Sequence, residues 1–168
     1  MEKFEIKTFD HFRQLWLYIL IVICIPAIIY FLMLFKKGYF ELNTAILVGS
    51  IFFIGYSTPI LLLHLNYYLR NRKDVFKYDK STNEIVYISV KKEIKFEEKD
   101  IFKITVFKSW PLSRNDVPIF AWDFYNYAII ELKDGQVIKL SSLLVNELDK
   151  VIKFDNIEIK RTLFALMD

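Results

Sequence analysis

The chain changes rhythm near residue 70: long uncharged apolar runs come first, and short alternating stretches dense in charge follow. Residues 15–35 are twenty-one positions without a charged side chain. As a helix rising ~1.5 Å per residue they measure ~31 Å, enough to cross a hydrocarbon core of ~30 Å. Residues 45–63 form a second uncharged run of nineteen, and the nine residues between the runs, 36–44, suit a tight helical hairpin. The first run exceeds the ~7 to 15 apolar residues of a secretory signal, and no small-residue cleavage pattern follows it.

From residue 75 the period falls to two. Residues 75–78 and 84–90 read as one antiparallel hairpin, and 127–132 with 137–140 as a second, closed by Asp134-Gly135, which supplies the positive φ of a tight turn. Further strands are expected at 93–96 and 101–107. Asn146 is placed to cap a short helix running to Phe154, with Glu147 and Asp149 in its first turn. Residues 157–167 fit either strand or helix. The pattern divides the chain into a cytosolic N-terminal tail (1–14), a two-helix transmembrane hairpin (15–69) and a cytosolic β-rich domain (70–168). The expected fold class is therefore membrane α plus cytosolic β, the latter a small antiparallel barrel or a pleckstrin-homology-like domain with a short C-terminal helix.

Composition sharpens this division. A 54% hydrophobic content beside 26% charged residues is expected when apolar side chains are segregated into spans. Lys3, Lys7 and Arg13 precede the first run, Arg70, Arg72 and Lys73 follow the second, and only Lys36 and Lys37 lie between. The positive-inside bias then puts both termini in the cytoplasm. Trp16, Tyr18, Tyr39, Tyr67 and Tyr68 fall near the water interfaces, where amphipathic rings settle. Gly49 with Ala45, and Ser50 with Ser57, give small-residue spacings that permit close helix contact, either within the hairpin or between copies.

Residues 70–168 hold eighteen Lys or Arg against sixteen Asp or Glu, a near balance that argues against binding a nucleic acid polymer. Cys24 is the one cysteine and lies in the first run, which excludes an intramolecular disulfide and a multi-cysteine metal site. There is no phosphate-binding glycine loop, no nucleophile elbow, and neither His11 nor His64 falls in the β region, so no enzyme and no cofactor are expected. Glu97, Glu98 and Asp100 cluster, but among Lys95, Lys99 and Lys103 they read as a solvated face, and no metal is expected.

The longest break in the strand pattern is 108–127, KSWPLSRNDVPIFAWDFYNY. Aromatic faces stack on bases at roughly 1–3 kcal/mol each, and Arg or Lys meets phosphate. Lys108, Trp110, Arg114, Trp122 and Tyr125 are thus candidate ligand-binding residues. The same rings also suit closure of one end of a core, or contact with lipid headgroups.

The strands, the ELKDGQVIKL hairpin and the SSLLVNELDKVIKF that follows resemble bacterial pleckstrin-homology-like domains found behind paired membrane spans. The whole plan, two spans and a compact β domain, is similar to the two-transmembrane β-barrel effectors of antiphage systems. That second resemblance implies sensing of a cyclic dinucleotide or oligonucleotide, homo-oligomerisation in the bacterial inner membrane, and membrane disruption. The first implies instead a scaffold or accessory protein that binds lipid headgroups or a partner membrane protein without nucleotide.

Overall fold

The computed structural model describes residues 1–35, 42–90, 92–152, 154 and 156–167. The expected hairpin connection at 36–44 falls largely outside the described residues. Helix α1 runs Thr8–Phe35 and α2 runs Leu42–Asn71, both with a proline inside, Pro26 and Pro59. Each extends past its uncharged run at the end nearest the β domain. The extensions carry polar side chains among apolar ones, and these find partners on the domain.

The tail expected at 1–14 is divided. Glu2–Phe4 is a strand, β1, and pairs antiparallel with β2 (Val75–Asp79), so the helical pair is an insertion between two neighbouring strands. Phe4 sits opposite Phe76, with ring centroids 6.1 Å apart. β3 (Glu84–Ile88) and β4 (Glu93–Glu97) complete a four-stranded sheet in the order β1-β2-β3-β4. The second sheet is ordered β7-β6-β5-β8, from β5 (Ile101–Lys108), β6 (Tyr127–Leu132), β7 (Val137–Ser141) and β8 (Ile157–Arg161). Among the described strands β4 pairs only with β3 and β7 only with β6, so the domain is a two-sheet sandwich and not a closed barrel.

Period-two burial builds the core. In β4 Ile94 and Phe96 point inward while Glu93, Lys95 and Glu97 face out. With Phe76, Tyr78, Ile85 and Tyr87 they meet Ile104, Val106, Ile130 and Leu140 of the opposite sheet. Gly135 takes φ +86° in the β6–β7 turn, and Asp134 Oδ1 accepts the Gln136 amide at 2.9 Å. A Cβ at that φ is strained, which is why the Asp-Gly pair marks the turn.

One expectation is corrected and one open alternative is resolved. The helix expected from Asn146 to Phe154 is a single turn, α4 (Leu148–Val151), entered through Glu147 at φ +51° with no side-chain cap. Leu143 drops into the core beneath α2 while Leu144 and Val145 drop into the core between the sheets, so residues 141–147 turn rather than wind. Residues 157–161 are a strand, and β8 pairs parallel with β5, making the second sheet mixed.

Where α2 ends, a buried polar knot ties it to both sheets. Asn71, 2% exposed, donates to Asp74 Oδ2 (2.8 Å) and to the Lys139 carbonyl (3.1 Å), and its Oδ1 accepts the Ser141 amide (2.9 Å). Tyr87 donates to the same Asp74 oxygen at 2.7 Å. Burial, reinforced by the adjacent carboxylate, raises the Tyr87 pKa and keeps it a donor. Removing one partner from such a set orphans the others, at about 1–3 kcal/mol per buried group. Asn71→Ala is therefore expected to lower stability by about 2–4 kcal/mol, and Tyr87→Phe by about 1–2, in denaturant unfolding of the detergent-solubilised chain.

Candidate functional site

Residues 108–127 fold as a short helix, an open loop and a 3-10 turn. Ser109 caps α3 (Trp110–Ser113) and donates its hydroxyl to the Asp123 carbonyl at 3.0 Å. Asp123 Oδ2 accepts the Phe120 amide at 2.9 Å and the Ile119 amide at 3.3 Å, which winds Ala121–Phe124 into its 3-10 turn. That turn carries the aromatic residues to the helices.

The five candidate residues are not gathered around one cavity. Lys108 is buried and its Nζ pairs with Asp149 at 2.7 Å. Tyr125 is fully enclosed, edge-on to Tyr67 at 5.3 Å, and burial pushes its pKa up. Trp122 stacks on Phe120 at 4.5 Å and also meets Tyr56 and Phe164, at 5.4 and 5.7 Å. Only Trp110 and Arg114 remain together at the surface. The Arg114 guanidinium lies 5.3 Å from the exposed Trp110 ring, and Arg161 from β8 lies 5.2 Å from it. Each exposed cation–π contact is worth roughly 0.5–1 kcal/mol.

The larger feature is the junction between helices and sheet. His11 Nδ1 and His64 Nε2 are 2.8 Å apart, and His64 Nδ1 lies 2.9 Å from the Tyr125 hydroxyl. Gln14, 2% exposed, donates to the Phe124 carbonyl at 2.7 Å, and Arg13 donates to the Ser142 carbonyl at 3.2 Å. On α2, Tyr67 donates to the Ala165 carbonyl at 2.6 Å. Asn66 both donates to the Met167 carbonyl and accepts its amide, at 3.0 and 3.1 Å. The Tyr56 hydroxyl accepts the Ala121 amide at 3.2 Å.

Tyr67 was expected at a lipid–water interface, and it is instead fully buried against the C-terminal segment. His64 lies outside the β region in sequence and is joined to it through Tyr125. The signal for Tyr67 is a stripe: Tyr56, Ile60, Leu63, Tyr67 and Asn71 recur at four- and three-residue steps, one face of one helix. A search for uncharged runs passes over it.

The acidic cluster is engaged internally. Asp100 Oδ2 accepts the Glu97 amide at 2.9 Å, Glu97 pairs with Lys99 at 2.8 Å, and Glu98 accepts from Tyr78. Among the described residues no group of three or more His, Cys, Asp or Glu stands ready for a metal ion. On the helical side, a groove of about 650 Å³ opens between α1 and α2, lined by Ile25, Pro26, Tyr30, Gly49, Phe53 and Ser57. Among the described residues, a Cβ at Gly49 meets nothing within 4 Å, and the buried Ser57 hydroxyl has no hydrogen-bond partner.

A protein-family profile described as a PH domain matches residues 3–154. No curated protein and no solved structure matches the chain.

The junction makes a direct prediction. Tyr67→Phe leaves the Ala165 carbonyl without its donor, at about 1–3 kcal/mol. Hydrogen exchange is expected to accelerate at residues 165–167, with the amides of β2 to β4 unchanged.

Proposed function

Since the chain belongs to the PH domain family, we propose that it is a non-catalytic adaptor of the bacterial inner membrane. Its helical pair spans the bilayer, its β domain rests on the cytoplasmic surface, and copies associate through the α1–α2 groove. The observation that carries this reading is the exposure of the helices: only 6% of the most apolar window in α1 and 22% of that in α2 is buried. The core helix of a soluble domain is mostly covered, whereas these need an apolar solvent. Residues 2–4 and 165–167 both lie at the domain end of the hairpin, and Lys3, Lys7, Arg13, Arg70, Arg72 and Lys73 gather there. That clustering supports a cytoplasmic domain and cytoplasmic termini.

The groove supports association. Gly49 leaves room for a neighbouring backbone. A second reading, a nucleotide-sensing effector that disrupts the membrane, draws support from Trp110 flanked by two guanidinium groups. An exposed ring with two cations is chemistry that stacks a base and neutralises phosphate.

One measurement tests the association and a second separates the two readings. Gly49→Trp fills the groove and is expected to convert a cross-linked dimer or higher oligomer into monomer in vesicles. Unchanged cross-linking removes the association. Calorimetry of the full chain in detergent with a panel of cyclic dinucleotides tests the second reading: a sensor gives saturable heat that Arg114→Glu weakens by roughly tenfold or more, whereas an adaptor gives none.

A further inference from the structure

We infer that the β domain is partly sunk into the bilayer, its 117–122 loop and its 163–166 segment forming an apolar rim inserted at the headgroup–acyl boundary of the cytoplasmic leaflet. This rests on the reading that the helices span the membrane. The argument begins with length. Tyr56 is the first α2 residue packed against the β domain, so 42–55, fourteen residues or about 21 Å, is all of α2 that stands clear of it. A core of about 30 Å needs about six residues more, which takes Tyr56 and Ile60 into hydrocarbon. The Tyr56 ring lies 5.4 Å from Trp122 and its hydroxyl holds the Ala121 amide, so that loop enters at the same depth.

The surfaces at that depth are apolar all round. On the side away from the domain, Leu61, Leu62, Leu65 and Leu69 of α2 are exposed, as are Phe9 and Phe12 of α1, continuing the lipid-facing belt past the level of the loop. On the domain side Val117 is 84% exposed, Ile119 71% and Leu163 65%, with Phe120, Phe164 and Leu166 beside them. Residues 117–122, VPIFAW, carry no charge, and neither do 163–167, LFALM. The two stretches touch through Trp122 and Phe164, so they form one patch. Arg114, Lys160 and Arg161 border it, with Asp116 the acid in the loop, and Trp110 lies between the two arginines. Cations and an indole around an apolar tip match the order of an anionic headgroup layer above acyl chains.

The test uses the full chain with Cys24→Ser and single exposed cysteines, Ile119→Cys, Leu163→Cys, Asp134→Cys and Ile51→Cys, each carrying an environment-sensitive fluorophore. The protein is reconstituted in phosphatidylcholine–phosphatidylglycerol vesicles containing lipids with a nitroxide near the carbonyl end or near the chain terminus. Labels at 119 and 163 are expected to be quenched by the carbonyl-end nitroxide at least about twofold more than the label at 134 in the distant β6–β7 turn, and the label at 51 by the chain-terminal nitroxide. Quenching at 119 and 163 equal to that at 134, with 51 still quenched, overturns the insertion and leaves the spanning helices standing. Loss of quenching at 51 overturns both. Self-quenching at 119 that rises with protein density and ignores the nitroxides shows that a second copy covers the patch, and also overturns the insertion.

Discussion

The structure depends on how a long apolar helix is joined to a sheet without stranding polar groups. At the end of α2 the Ser141 amide and the Asp74 carboxylate converge on the buried Asn71 side chain. Asn71 satisfies both and also reaches the Lys139 carbonyl. An amide side chain, offering two donors and an acceptor, is the one uncharged group that can serve three such partners at once. Because β1 lies before α1 and pairs with β2 after α2, the insertion is closed at its root by strand pairing as well as by this knot. Both helix roots are fixed to one body.

A consequence is that α2 presents two chemically different faces at the same height. Along α2, Tyr56, Ile60, Leu63 and Tyr67 turn to the domain, while Leu61, Leu62, Leu65 and Leu69 turn away. The residues facing the domain include hydroxyls bonded to backbone groups, at Tyr56 with Ala121 and at Tyr67 with Ala165. Those turned away carry no polar atom. A protein interior returns hydrogen bonds, and these two hydroxyls lie on the face of α2 that packs against one.

The same sorting sets what was legible in sequence. The uncharged runs gave the helices, and the period of two gave β2 to β7, with Asp134-Gly135 fixing one hairpin almost to the residue. Strand β1 was hidden because three residues, Glu2 to Phe4, hold one apolar side chain directed at Phe76, too little to register as alternation. Strand β8 was ambiguous because Ile157 and Ile159 suit either period, and a parallel edge pairing decides it by long-range contact alone. Of the candidate residues, Lys108 and Tyr125 have side-chain chemistry that suits a ligand. Partners far along the chain, Asp149 and His64, engage them instead. Local composition cannot separate a residue that meets a ligand from one that meets the fold.

Rigid rooting bears on how such a protein transmits anything. A partner or ligand on the β domain alters the helices only if it binds one arrangement of the hairpins more tightly than another, since equal affinity shifts no equilibrium. With Arg13, Gln14, His64 and Tyr67 all bonded across the junction, the domain and the adjoining helix roots move as one unit. The freedom left is between copies, or between the far ends of α1 and α2 around the open groove at Gly49. Separating the domain from the helix roots would break several buried hydrogen bonds at once, each leaving an orphan worth about 1–3 kcal/mol. Sliding one whole hairpin against another breaks none of them. Coupling through rearranged assembly is therefore the route with the smaller opposing free energy.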